Sequence, residues 1–370
     1  MKQLRFFLTI LTVAGLAVAA SRPGKNASVN AQAGSVAPAA PMLDPRSGHS
    51  ATLLPDGRVL IVGGMRRNND FYKSAELYDP MTGKFTPAGE MSIGRVGHAA
   101  VLLHSGEVLI VGGWVGHGGA ASAELYNPST GKFRTIASMT TRRARPSATL
   151  LPDGDVLLAG GTELDTPGGM ASAEVFHATT LQFEPVGSMH EGRIAHTATL
   201  LLDGRVLIAG GRRASVTAAA ELYDPHTKQF VPTGSLRTAR YKHTAGLLPD
   251  GRVLIAGGSD NRDWHGAMSS AEIYDPRTGK FTETSSLNDS RFKLPGESVQ
   301  LSSGRVLVAG GSKLVEIYDP VTAKFLLVAG QLSDAWHFMT VTRLKDGEVL
   351  LTGGYPDNDH TTNQTWLYRP

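Results

Sequence analysis

Cysteine is absent from this 370-residue chain. No disulfide can brace the fold, and no thiolate can act as nucleophile or metal ligand. Charge is also scarce, at 19% Asp, Glu, Lys and Arg with a formal net charge of +3. That balance excludes the electrostatic footprint of nucleic-acid binding, so no nucleic-acid partner is expected. Past the N-terminus no run of residues keeps a helical period, which excludes a helical bundle. Nucleophile elbow, phosphate-binding loop and zinc-helix motifs are missing too, so no standard hydrolase or nucleotide-binding chemistry is written in the chain.

What the chain has is glycine, 43 of them, and an unusual start. "MKQLRFFLTILTVAGLAVAAS" has a charged beginning (Lys2, Arg5), an apolar centre (Phe6 to Leu16) and small residues at Ala17 to Ala20. This is the layout of a cleaved signal peptide over residues 1–20. Its apolar stretch is shorter than the roughly 20 residues a spanning helix needs, so the mature chain is expected to have no membrane span. Export to the periplasm or the exterior follows. Residues 21–32 are small and polar and read as a linker.

From residue 33 onwards one pattern recurs. Glycine pairs begin at Gly63, Gly112, Gly160, Gly210, Gly257, Gly310 and Gly353, separated by 43 to 53 residues. That is the period of a four-stranded propeller blade. Within each unit a short first strand is followed by a tight turn, Asp-Gly or Ser-Gly, expected to be a two-residue hairpin with positive φ. The second strand ("VLIVGG", "VLIAGG") is continuously apolar, as a strand buried on both faces must be. The third ends in "AELYDP" or a variant. The fourth carries an aromatic seven residues after the Tyr or Phe of the third, as in Tyr78/Phe85 and Tyr126/Phe133.

Glycine pairs followed by two large rings at fixed spacing resemble kelch repeats, and "DGRVLIVGG" is most similar to the central domain of the galactose oxidase group. The resemblance covers residues 33–370 and implies an all-β, seven-bladed propeller. Those oxidases use copper and a tyrosine cross-linked to cysteine. Without cysteine that cofactor cannot form here, and no cofactor or metal is expected. The seventh unit stops after its third strand, "TWLYRP". Residues 33–42 match the layout of a fourth strand and are expected to close the ring from the other end, which removes exposed sheet edges.

The strand order puts the tight turns on one face and the variable loops on the other, where a site belongs. That face carries Arg-x-x-His four times (Arg46/His49, Arg95/His98, Arg193/His196, Arg240/His243), which could suggest a basic funnel. Counting back from the glycines, however, each cation is matched by a Glu of its own blade: Arg46/Glu76, Arg95/Glu124, Arg143/Glu174, Arg193/Glu221, Arg240/Glu272 and Lys293/Glu316. In blade seven both positions are tryptophan, Trp336 and Trp366. First and third strands lie about 9.6 Å apart. The expectation is a structural ion pair, with the glycines clearing a path for the cation over the second strand.

Removing the repeat leaves candidates for ligand binding: Trp114, His117, Arg145, Arg212, Trp264, His265, Trp336, His337, Asp357 and His360. Tryptophan beside arginine and acid suits stacking on sugars or anchoring a protein. The expected function is a monomeric exported scaffold binding a protein or glycan. The alternative is a cofactor-free epimerase or lyase on an anionic sugar, with His117, His265, His337 or His360 as base.

Overall fold

The computed structural model describes residues 33–67, 70–164, 168–294, 298–356 and 360–370. The expected signal peptide and linker, and Asp357, lie outside the described residues. Seven four-stranded antiparallel sheets follow one another along the chain. Blade two is representative: Ala99–Leu102, Val108–Val111, Ala123–Asn127 and Lys132–Thr135 pair in chain order. Each first strand contacts the first strands of its two neighbours, and Thr340–Arg343 of blade seven contacts Ser50–Leu53 of blade one. The first strands therefore surround the axis, and the ring is closed.

The second strands are buried along their whole length, as in Val59–Val62 and Val108–Val111. Between blades the recurring rings do the packing. Tyr126 of blade two lies among Leu60, Val62 and Leu77 of blade one, and Phe176 of blade three lies on Leu109 and Val111 of blade two. Each such ring stacks on its partner seven residues on, with centroids 4.8 to 5.0 Å apart in six blades. Ring closure takes the expected route. Ser35–Pro38 pairs antiparallel with Thr365–Arg369, and Met42 seats its side chain in the core between blades seven and one.

The turn between first and second strands differs from expectation. The loop has three residues, Pro55-Asp56-Gly57 in blade one, with the Gly57 N–H donating to Leu54 O (3.0 Å) and the Leu54 N–H to Arg58 O (2.8 Å). Only Gly57 takes positive φ (95°). This is a type I turn followed by a left-handed glycine, so Asp56 keeps ordinary backbone geometry.

The buried ion pairs are present. Arg46–Glu76, Arg95–Glu124, Arg143–Glu174, Arg193–Glu221 and Arg240–Glu272 meet at 2.6 to 3.1 Å. All five guanidinium groups are fully buried. Each also donates to the carbonyl of the first glycine of its own blade at 2.7 to 3.0 Å, so the cation does cross at the glycine pair. The carboxylate in turn accepts backbone N–H groups from the loop entering its blade, as Glu174 does from Thr140 (2.7 Å) and Thr141 (3.2 Å).

Two expectations need correction. In blade six Glu316 pairs with Arg291 (2.5 Å), not Lys293. Arg291 sits 19 residues before Gly310, whereas the other arginines sit 17 before their glycines. Two extra residues before the first strand of blade six throw the backward count onto Lys293. The empty space at the glycines also serves a different end. A Cβ on Gly63 would strike Arg95 O of the next blade at 2.8 Å, and one on Gly64 would strike Ser47 O at 2.8 Å. The absent side chains admit neighbouring backbone, and the guanidinium merely uses the carbonyl exposed there.

Burial lowers the Arg95 pKa and the Glu124 charge opposes that. A buried pair of this kind resists the loss of one partner more than the loss of both. Glu124→Ala should cost about 3–5 kcal/mol in chemical denaturation, and Arg95→Ala with Glu124→Ala should cost clearly less than the two singles added. Additive costs would show that the groups are not coupled. Deleting residues 33–42 exposes the edge of Thr365–Arg369 and should abolish the cooperative melt; a truncation melting like the parent would refute closure by that strand.

Candidate functional site

Two residues beyond each arginine, and beyond Trp336 in blade seven, the chain adopts the left-handed conformation. The positions are Gly48, Gly97, Arg145, Ala195, Lys242, Lys293 and Phe338, with φ between 52° and 63°. The bend lets one blade reach the one before it. The Gly97 N–H donates to Gly48 O (2.9 Å), Arg145 to Gly97 O (2.9 Å), Lys242 to Ala195 O (2.9 Å), Phe338 to Lys293 O (3.3 Å) and Gly48 to Phe338 O (3.0 Å). A hydrogen-bonded belt thus runs round the axis on the variable-loop face, with Leu294 donating to Lys242 O (3.0 Å) between blades five and six and, among the described residues, no such bond from Ala195 to Arg145. Glycine takes this conformation freely, whereas a side-chain residue there costs about 1–2 kcal/mol. Arg145, Lys242, Lys293 and Phe338 occupy it nonetheless, and strain of this kind concentrates at functional sites.

Below the belt lie the four histidines of the Arg-x-x-His motif, all buried. Each reaches a hydroxyl of the preceding blade: His98 Nε2 lies 2.9 Å from Ser50 Oγ, His196 Nε2 2.9 Å from Ser147 Oγ, His243 Nε2 3.0 Å from Thr197 Oγ1, and His49 Nε2 2.9 Å from Thr352 Oγ1. Every Nδ1 is buried without a hydrogen-bond partner. A neutral ring with its proton on Nε2 leaves no buried N–H unsatisfied. Burial, then the adjacent arginine charge, pushes His98 and His196 down to about 3. His49 and His243 fall well below the ordinary value for the same first cause.

The first strands and the belt enclose a cavity of about 380 Å³ at the axis, lined by Arg145, Lys242, Phe338, Tyr355, Ser147 and Thr197 among others. Its rim is a knot of cations and rings. Lys293 Nζ sits 3.4 Å from the centroid of Trp264, 5.0 Å from Tyr355 and 5.2 Å from Phe292. It donates to Tyr355 Oη at 3.0 Å. Burial, then the Lys242 charge, brings Lys293 down to about 7. Trp264 meets Phe292 (5.1 Å) and His337 (5.0 Å) edge-on, yet stays 38% exposed. Lys242 pairs with Asp263 at 2.7 Å, and the Tyr241 hydroxyl donates to the same carboxylate at 2.6 Å.

Comparison with known proteins agrees with this architecture. A family model for the kelch motif matches residues 45–92, 95–140 and 240–288. The chain is a seven-bladed β-propeller that carries kelch motifs in those three stretches. Among solved structures it is similar to a copper-bound fungal alcohol oxidase of the AA5 family, at a TM-score of 0.73 and 16% identity. The match covers 91% of this chain and 76% of that one, and at such identity it speaks for the fold alone. No curated protein matches the sequence.

The axial mouth of this kelch propeller does not suit copper. Arg145, Lys242 and Lys293 stand at it, and the nearby carboxylate of Asp263 is already shared by Lys242 and Tyr241. Among the described residues no three His, Asp or Glu side chains are placed to hold a metal ion. The Nε2 atoms of the four buried histidines face hydroxyls of neighbouring blades.

Of the residues singled out by sequence, Arg145, Trp264 and His337 come together around the mouth. Arg212 joins them, its guanidinium 5.7 Å from the Tyr241 ring. His265 is exposed next to Trp264. His337 is buried with Nδ1 3.3 Å from Phe292 O, and burial takes it down to about 4, below the range useful to a base at neutral pH. Trp336 is a correction: it is buried against Trp366 with centroids 6.0 Å apart, a packed pair in place of the missing ion pair. Trp114 is half-buried, and neither it nor the exposed His117 and His360 lines the cavity.

Lys242, Lys293, Phe338 and Tyr355 escaped the sequence reading as ligand residues. For the two lysines the signal was there, in side chains standing where blades one and two keep glycine.

The histidine latches make stability depend on pH. In the unfolded chain these rings gain protons below about 6.5, whereas the folded protein holds His98 and His196 neutral down to about 3. The stabilisation is therefore complete above pH 6.5 and is lost progressively as pH falls from there. Each ring contributes a slope of at most about 1.4 kcal/mol per pH unit. Urea denaturation between pH 7 and pH 4.5 should show His98→Gln with a shallower decline than the parent. Parallel declines would mean that His98 titrates normally in the folded state.

Proposed function

We propose that this kelch propeller is an exported, monomeric binding scaffold that docks a glycan on its variable-loop face over the axial mouth. One observation carries the reading. An exposed tryptophan, Trp264, stands beside a cavity of about 380 Å³ whose rim is held in strained backbone geometry by the ring itself. Indole faces stack on sugar rings, and a cavity near the small end of the usual ligand range, about 300–1,000 Å³, suits one saccharide unit with its neighbours outside.

The scaffold is suited to recognition because the belt fixes its side chains before a ligand arrives, which lowers the entropic cost of binding. The signal-peptide-like layout of residues 1–20 supports export, and the absence of cysteine leaves the packed blades to carry stability in that setting. Among the described residues no helix is long and apolar enough to cross a membrane.

A glycan array probed with the chain lacking residues 1–20 tests the reading. Trp264→Ala should weaken any hit at least tenfold, with the melting temperature within a few degrees of the parent. Undiminished binding by that variant would move the site away from the mouth. A blank array together with a captured protein partner would replace glycan by protein.

A further inference from the structure

The mouth carries more positive charge than it neutralises. Arg145, Arg212, Lys242 and Lys293 gather there, and Asp263 is the one carboxylate that pairs with any of them among the described residues. The described residues lining the cavity include no Asp or Glu. Arg145 is exposed, lies over the Phe338 ring at 5.8 Å and has no carboxylate partner among the described residues. The Nε of Arg212 is buried without a hydrogen-bond partner. Burial is the first cause that lowers both lysines, and the neighbouring charges add to it, Arg145 on Lys242 and both Lys242 and Arg145 on Lys293. Uncompensated like charges around a concave site are an unfavourable arrangement for the empty protein, and an anion relieves them.

We propose that the axial mouth binds the carboxylate of an acidic saccharide, gripped between Arg145 and Lys242. This rests on the glycan reading above and names its chemical class. A guanidinium offers a planar fork matched to a carboxylate, and the blade-five ammonium, lining the same cavity, supplies a second donor. Both side chains are aimed by the left-handed belt, Arg145 at φ 53° and Lys242 at φ 54°. Thr197 lower in the cavity accepts from His243 and keeps its own hydroxyl proton for a ring substituent. Lys293 lies against Trp264 and leaves part of the indole open for the sugar face.

The belt itself supplies a clean control. Blades one and two place Gly48 and Gly97 at the same position with the same left-handed bend, so glycine is compatible with the fold there. Arg145→Gly should therefore melt at or above the parent temperature while losing affinity, and Lys242→Gly, which also gives up the Asp263 pair, should lose affinity while still melting cooperatively. The measurement is titration calorimetry of the chain lacking residues 1–20 with uronic-acid oligosaccharides, their methyl esters, the neutral parent sugars and inorganic sulfate.

The uronates should bind, with esterification and either glycine variant each weakening them at least tenfold. Esters or neutral sugars binding as well as the uronates would overturn the anion site while leaving the glycan scaffold standing. Sulfate alone binding, with no uronate bound, would overturn the saccharide carboxylate in favour of a free oxyanion. No saccharide binding in any form would sink the glycan reading along with it.

Discussion

The fold depends on one residue reaching in two directions. In blade two the backbone carbonyl of Arg95 accepts the Gly64 N–H of blade one at 2.9 Å, while its guanidinium holds Gly112 O and Glu124 of its own blade. The same carbonyl link recurs from Gly113 to Arg143, Gly161 to Arg193, Gly211 to Arg240, Gly258 to Arg291 and Gly354 to Arg46. A buried ion pair is weak evidence of net stabilisation. Here it orients the backbone that makes the inter-blade bond, so its contribution is to geometry. Blade seven isolates the two halves of the device. There Gly311 still donates to Trp336 O at 2.7 Å, but Trp336 packing on Trp366 replaces the ion pair. The inter-blade bond is kept, and the means of orienting it is exchangeable.

Fixing the arginine fixes the next three residues. The chain turns left-handed two positions on, and in the four blades with His49, His98, His196 or His243 next, the ring points into the gap between blades. The rigid frame therefore delivers seven side-chain positions to the mouth at a defined height and direction. Glycine would serve the frame best at each of them. That the chain instead keeps two lysines, an arginine and a phenylalanine there, in blades three, five, six and seven, concentrates charge and aromatic surface on one side of the mouth. Asp263 adopts the same strained conformation (φ 53°) to reach Lys242.

Blade number, strand order, ring closure and ion pairing were legible in the sequence because each is repeated, and repetition exposes the constraint. Arg46, Arg95, Arg143, Arg193 and Arg240 share one distance to their glycines. Lys293 was misread because that distance is two residues longer in blade six, and a count from the glycines has no means of sensing an insertion. Counting forward from the fourth strand of blade five places Arg291 correctly and leaves Lys293 at the belt. The three-residue hairpin loops were missed for a different reason. Asp-Gly signals a positive φ at glycine without saying whether the residue before it shares that conformation. Of the candidate ligand residues, Trp264 and Arg145 were visible as departures from the repeat. Phe338 and Tyr355 were not, because an aromatic near a first strand reads as core until the backbone shows which way it faces.

A closed ring of near-identical units has no intrinsic reason to favour one direction across its axis. Any directional site must come from positions where the units disagree, and the frame restricts how many such positions there are. The turn face offers few, because its loops are short and pinned by Asp–backbone bonds such as Asp56 to Arg58 and Asp203 to Arg205. The belt offers seven, and the loops above it add Trp264 and Asp263. In the proposed binding role, specificity would rest on a handful of side chains placed in unfavourable backbone geometry, with the stability that keeps them there distributed over the arginine staples. Substitutions that improve the staples should leave recognition intact, whereas relaxing the belt to glycine trades recognition for stability.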